Sequence, residues 1–177
     1  MGTILQVSIS PGGLPKRAVA AGYLGTLGVE GDRHRKAQIH GGPRKAVLLA
    51  SAEMIGELAA QGFPVFYGAL GENLTTHGLD FRDLRIGDRL RAGGAILEIT
   101  APRIPCASLD VYGPTIKEVI FDQRVKDLDP SSARWGMSGL HTAVLQPGPV
   151  AAGDPIEVLD KLASNGDPEA GSSRTLA

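Results

Sequence analysis

The 24 glycines and 12 prolines of this 177-residue chain cut it into short segments. Proline has no backbone N–H to give a helix, and glycine loses more freedom than any other residue when ordered. Punctuation this dense favours turns and short strands over a helical bundle. A hydrophobic content of 42% is enough for a core, although aromatics make up only 5%.

The segments between the breakers have readable periods. Residues 3–9 alternate, with Leu5, Val7 and Ile9 on one side and Gln6 and Ser8 on the other, which predicts a half-buried strand blurred by Ile4. Residues 10–15 form a loop by turn chemistry. The apolar run after Lys45, within 45–50, predicts a buried strand. Met54, Ile55, Leu58 and Ala59 share a face and predict a helix over 52–61 stopped by Gly62. Residues 85–100 predict a hairpin turning at Gly93-Gly94. Ile116, Val119, Ile120 and Leu128 predict a helix over 115–128 that ends before Pro130, and 141–147 and 155–159 read as final strands.

Gly87-Asp88 and Gly153-Asp154 each stand before a strand, where the glycine supplies a turn and the aspartate can bond nearby amides. Strands outnumber helices and alternating βα units are absent, which argues against a doubly wound sheet. The expectation is one mainly β domain with a few helices over residues 1–159, followed by a polar, disordered tail over 160–177.

Cys106 is the only cysteine. One thiol excludes an intrachain disulfide, a CxxC zinc site and an all-cysteine iron–sulfur cluster, and it suits a reducing compartment. The cysteine ends the string Thr100-Ala101-Pro102-Arg103-Ile104-Pro105-Cys106, in which two prolines stiffen the backbone around an arginine. A neighbouring cation favours the thiolate, the form that binds soft metals and attacks electrophiles. The plain alternative is a small buried hydrophobe.

Net charge is −1, so a nucleic-acid partner is not expected, and no apolar run is long enough to span a bilayer. With no signal-peptide pattern at the start, the expected location is cytoplasmic. The first fifty residues nevertheless carry seven basic side chains (Lys16, Arg17, Arg33, Arg35, Lys36, Arg44 and Lys45) against Glu30 and Asp32. These make either a solvated basic face or a pocket for a small anion.

Within that stretch, His40-Gly41-Gly42-Pro43-Arg44-Lys45 combines a glycine turn that a ligand can approach closely with two flanking donors, His40 and Lys45. A tight turn before a strand explains the glycines equally well. His34 and His40 lack a second pair at zinc spacing. In Gly71-Glu72-Asn73-Leu74, the Asn73 amide suits either a pterin or purine edge or a simple cap. Dinucleotide, P-loop and nucleophile-elbow fingerprints are all absent.

In their order along the chain, these segments resemble the MOSC domain, named for the C-terminal domain of molybdenum-cofactor sulfurases. The resemblance rests on Gly13-Leu14-Pro15-Lys16, Gly28-Val29-Glu30-Gly31-Asp32-Arg33-His34, His40-Gly41-Gly42-Pro43, Gly71-Glu72-Asn73-Leu74, Leu84-Arg85-Ile86-Gly87-Asp88 and Pro102-Arg103-Ile104-Pro105-Cys106. It implies a strongly bent β-barrel like the barrel domain of pyruvate kinase. It also implies binding of the molybdenum cofactor (molybdopterin), with Cys106 as the catalytic residue and molybdenum ligand or as a sulfur carrier.

Lys16, His40, Gly41, Gly42, Lys45, Glu72, Asn73 and Arg103 are the residues expected to bind that cofactor. Lys16, Lys45 and Arg103 would balance its phosphate, and Asn73 would read its pterin. The activity implied is reduction of N-hydroxylated small molecules such as hydroxylaminopurines, amidoximes or hydroxamates, with electrons from a separate flavin or iron–sulfur reductase. The alternatives are a sulfur carrier or cofactor-transfer protein using a Cys106 persulfide, and a cofactor-free binding module. Cofactor sulfurases add a pyridoxal-phosphate desulfurase and larger relatives add an N-terminal β-barrel, and neither is expected here.

Overall fold

A computed structural model of the chain describes residues 1–33 and 41–161. Eleven strands run in order through them: β1 (Gly2–Ile9), β2 (Arg17–Val19), β3 (Ala21–Gly25), β4 (Gly28–Val29), β5 (Val47–Ser51), β6 (Leu74–His77), β7 (Arg89–Ala92), β8 (Ala95–Pro102), β9 (Leu140–Gln146), β10 (Gly148–Ala151) and β11 (Pro155–Asp160). The spatial order β11-β7-β8-β9-β5-β6-β1 closes on itself, because Gly2 and Thr3 pair with Ile156 and Pro155. Closure removes the edges that an open sheet would leave for aggregation. β2 extends the sheet beside β1, and β10-β3-β4 forms a small second sheet. The expected mainly β barrel is therefore present.

Every pairing around the ring is antiparallel except β5 with β6. That parallel pair is joined through helix α1 (Ala52–Ala60), which Ser51 caps by accepting from the Met54 amide. One βα crossover thus sits inside an otherwise antiparallel barrel, because a parallel neighbour needs a long return path. α1 buries the expected Met54, Ile55 and Leu58. Inside the ring, Ile4, Val7, Leu49, Leu74, Leu90, Leu97, Ile99, Leu140 and Ile156 are all fully buried.

Two sequence expectations change. In β1 the register against β6 slips between Ile4 and Gln6, a bulge that turns Leu5 outward. Ile4 and Val7 therefore fill the core, while Leu5 is 38% exposed. The expected helix over 115–128 is broken into α2 (Ile116–Ile120) and α3 (Gln123–Lys126). Phe121 is extended, and Asp122 starts a new helix by accepting from the Val125 amide. Leu128 takes φ 61 and points to solvent.

The two Gly-Asp turns behave as expected. Asp88 accepts from the Arg85 amide at 2.9 Å and Asp154 from the Ala151 amide at 2.8 Å. The expected tail begins where β11 ends, and residues 162–177 lie outside the described residues.

Candidate functional site

Strand register brings distant segments to one place. Pro102 pairs with Leu140, Leu140 with Leu49, Leu49 with Leu74 and Leu74 with Val7, a row across β8, β9, β5, β6 and β1. Along the chain, Arg103 follows Pro102 past the end of β8, and Glu72 and Asn73 precede Leu74 at the start of β6. Lys16 enters β2 beside the end of β1, where Arg17 pairs with Ile9. Arg103, the Glu72-Asn73 pair and Lys16 are far apart in sequence, yet each lies next to the end of a strand in or beside this row, Arg103 on the side of Thr75 and Asn73 on the side of Ser8.

Cys106 stands where β8 gives way to a 3-10 turn over Ala107–Tyr112. The Arg103 amide still donates to Gly139 O at 2.9 Å, so the strand path runs one residue past Pro102. The Leu109 amide donates to Cys106 O at 3.1 Å and closes the turn. The thiol is half-buried, with Sγ 2.7 Å from Ser108 Oγ. Burial pushes the thiol pKa up, but the Ser108 hydroxyl and amide and the Arg103 charge together outweigh it, and the thiol lies below its usual range. Cys106 is thus neither sealed in the core nor an ordinary surface thiol.

Arg103 is 7% exposed, and its Nη1 is buried with no partner among the described residues. Burial draws its pKa down, against the pull of Cys106 and Glu72. Glu72 is fully buried; its Oε1 accepts from the Gly68 amide at 2.6 Å and the Thr75 hydroxyl at 3.0 Å, while Oε2 has no partner among the described residues. Burial raises its carboxyl above the usual range, despite those bonds and Arg103.

Lys16 and Asn73 take parts that differ from the expectation. Lys16 is 5% exposed and paired with Asp32, so it is withdrawn from the basic face. Burial lowers its pKa, opposed chiefly by Asp32. The Asn73 amide is committed to the protein: Nδ2 donates to Ser8 O at 3.2 Å and to Asp32 Oδ2 at 2.8 Å, and Oδ1 accepts from the Leu48 amide at 3.2 Å. These bonds fill both donors, so Asn73 joins β1 to β5 and leaves no N–H to read a pterin edge.

Gly42 has φ 101 and opens the 3-10 turn Pro43–Lys45. No atom of the described residues lies within 4 Å of where its Cβ would stand, so it is the backbone angle that requires the glycine. Gly41 is half-buried and Lys45 exposed. Thr100 ties this turn to the barrel by bonding Arg44 O and His141 O, three residues before Arg103. His34 and His40 lie outside the described residues.

Four partners escaped the sequence reading: Asp32, Thr75, Ser108 and Tyr112. Ser108 stands two residues from the thiol, a spacing that local turn chemistry makes readable. The other three are brought in by folding. Asp32 also lines a concavity of about 310 Å³ with Gly25, Leu27, Gly28, Val29 and Glu30. Among the described residues no three His, Cys, Asp or Glu side chains group to hold a metal ion, and no helix is long and apolar enough to cross a membrane.

The closed barrel with a stiff Pro-Arg-Ile-Pro-Cys exit from β8 defines a MOSC-type domain, and the MOSC domain model matches residues 36–157. The chain belongs to the MOSC domain family. Protein YiiM of Escherichia coli (strain K12) is 31% identical over 143 residues, covering 78% of this chain and 59% of YiiM. A protein named "Reductase" from Gibberella moniliformis is 29% identical over 147 residues, covering 78% of this chain and 24% of that protein. The chain therefore spans about six-tenths of the one relative and a quarter of the other. The crystal structure of YiiM from Geobacillus stearothermophilus superposes with a TM-score of 0.69 at 25% identity, covering 90% of this chain and 76% of that one.

Proposed function

We propose that this protein binds the molybdenum cofactor through Cys106 and reduces N-hydroxylated small molecules such as hydroxylaminopurines, amidoximes or hydroxamates. The observation that carries this reading is the Cys106 thiol, half-buried and held below its usual range beside Arg103, whose Nη1 has no partner among the described residues. A soft anionic sulfur and an arginine with one unsatisfied nitrogen suit a thiolate-liking metal on an anionic organic group. Family membership and the reductase-named relative point the same way.

When bound, the cofactor supplies a sulfur-held metal that accepts an oxygen atom from an N–O bond. Cys106 offers its thiolate as the protein ligand, and Ser108 fixes the sulfur's direction. Arg103, the exposed Lys45 and the Gly41-Gly42 backbone supply positive charge and amides for the phosphate. Lys16, Asn73 and Glu72 hold the frame from inside. Each N–O bond cleaved takes two electrons and two protons. A separate flavin or iron–sulfur reductase is the proposed electron source, because a lone cysteine cannot hold a cluster of its own.

The test is production in a host that makes the cofactor, followed by metal analysis and assay of hydroxylaminopurine reduction by reduced viologen dye. Molybdenum retained by the wild type and lost from Cys106→Ser, with matching loss of activity, is the expected result. A wild type without molybdenum and without N–O reduction overturns the reading. An adduct of about 32 Da, one sulfur atom, that disappears in Cys106→Ser would instead favour the persulfide carrier.

A further inference from the structure

Glu72 enters the reading above only as framework, yet it is a buried acid with one oxygen unsatisfied. Its Oε1 already accepts from the Gly68 amide and the Thr75 hydroxyl. A proton on this carboxyl therefore sits on Oε2, the atom with no partner among the described residues. The charged and titratable groups that act on it come from three elements. These are Lys16 at the entry to β2, Arg103 at the exit of β8, and Tyr112 on the turn that begins after Cys106. Lys16 is already matched by Asp32. Tyr112 is itself pushed up, first by burial and then by Glu72. Arg103 carries its own unsatisfied atom, Nη1.

Burial favours the acid form of Glu72, and in that form Oε2 is a donor like Arg103 Nη1. Two buried donors with no acceptor are rarely left so in a protein. The group missing at these two atoms is an oxygen acceptor.

We propose that Glu72 is the proton donor of the site: its Oε2 hands a hydrogen to the ligand oxygen that Arg103 Nη1 also holds. The inference rests on the N–O reductase reading. In that reaction R–NH–OH takes two electrons from the partner reductase and two protons, and gives R–NH2 and water. The N–O bond breaks, the Glu72 proton goes to the departing oxygen, and the nitrogen takes its proton from solvent. The Glu72 carboxylate is then reprotonated from solvent. A general acid so placed contributes about 10²–10⁴-fold in rate.

Two measurements test this. In the protein without cofactor, carrying carbon-13-labelled glutamate, infrared spectroscopy at pH 7 should show a carboxylic-acid C=O band, because exposed glutamates are ionised there. The band should be missing from Glu72→Gln. In the loaded enzyme, Glu72→Gln keeps an acceptor for Gly68 and Thr75 and a donor at the Oε2 position, but has no proton to release. Its kcat should fall by about 10²-fold or more, with KM and molybdenum content retained.

An active wild type matched in kcat by Glu72→Gln overturns the inference and leaves the reductase reading standing. So does the absence of a glutamic-acid band from the wild type at pH 7, a result that needs no variant to fold. A wild type that reduces no N-hydroxylated compound overturns the reductase reading, and this inference with it.

Discussion

Asn73 donates from Nδ2 to Asp32 Oδ2 at 2.8 Å, and the same oxygen pairs with the Lys16 ammonium. The other oxygen, Oδ1, accepts from the Ser10 amide at 2.9 Å. One carboxylate thus joins the entry to β2, the entry to β6 and the end of β1, with the Arg33 amide tied to Ser10 O alongside. Replacing Asp32 with Asn leaves Lys16 buried without its hydrogen-bonded counter-charge. We expect a loss of about 3–5 kcal/mol in urea unfolding. A loss below about 1 kcal/mol would mean the pair behaves as a solvated surface bridge.

The raised Glu72 carboxyl has a definite sign in stability. A carboxyl whose folded pKa lies above its unfolded value contributes stability that is complete below the unfolded value and is lost as pH rises through the folded one. Glu72→Gln does not titrate. Relative to that variant, the wild type should therefore lose stability as pH rises from the acid range through the folded pKa. Denaturant midpoints measured across pH check this, and parallel curves would refute it.

The lowered Cys106 thiol should be alkylated at a lower pH than a free cysteine in the protein without cofactor. Ser108→Ala removes the hydroxyl 2.7 Å from Sγ and should shift the alkylation profile to higher pH. The rate of iodoacetamide labelling against pH measures both. An unchanged profile in Ser108→Ala would leave Arg103 as the group that stabilises the thiolate.

Gly68 connects Lys16 to Glu72. It has φ 97, its carbonyl accepts from the Lys16 amide at 3.0 Å, and its amide donates to Glu72 Oε1. A Cβ here would stand 2.2 Å from Lys16 O, a backbone atom that cannot swing aside. Gly68→Ala should destabilise by more than the roughly 1 kcal/mol typical of single substitutions, read from thermal or urea unfolding. Wild-type stability in this variant would show that the Lys16 segment yields.

The bulge in β1 separates two adjacent apolar residues. Ile4→Ala empties a fully buried site and should cost about 2–5 kcal/mol. Leu5→Thr, on the outward face, should stay within about 0.5 kcal/mol. Equal costs in urea unfolding would mean the bulge is absent in solution.

Local chemistry was legible in the sequence. Apolar spacing placed β1, β5, β9, β11 and α1, because side-chain period follows directly from backbone geometry. The Gly-Asp turns were readable because their bonds close within three residues, and the proline-flanked Arg103–Cys106 segment marked itself by composition. Parity and pairing were not legible. The bulge at Leu5 is set by register against β6, the break at Phe121 by a local cap that competes with helical period, and β2, β3, β4, β6 and β10 are too short to carry a period of their own. The same limit applies at the site. Glu72 stands out by type alone, but its unpaired oxygen, its shared neighbourhood with Arg103 and the Asp32 link from Lys16 to Asn73 exist only because barrel closure brings strand ends together across dozens of residues. A sequence records which groups are present, whereas burial and long-range pairing decide which of them are charged, which are spent on the frame and which remain for a ligand.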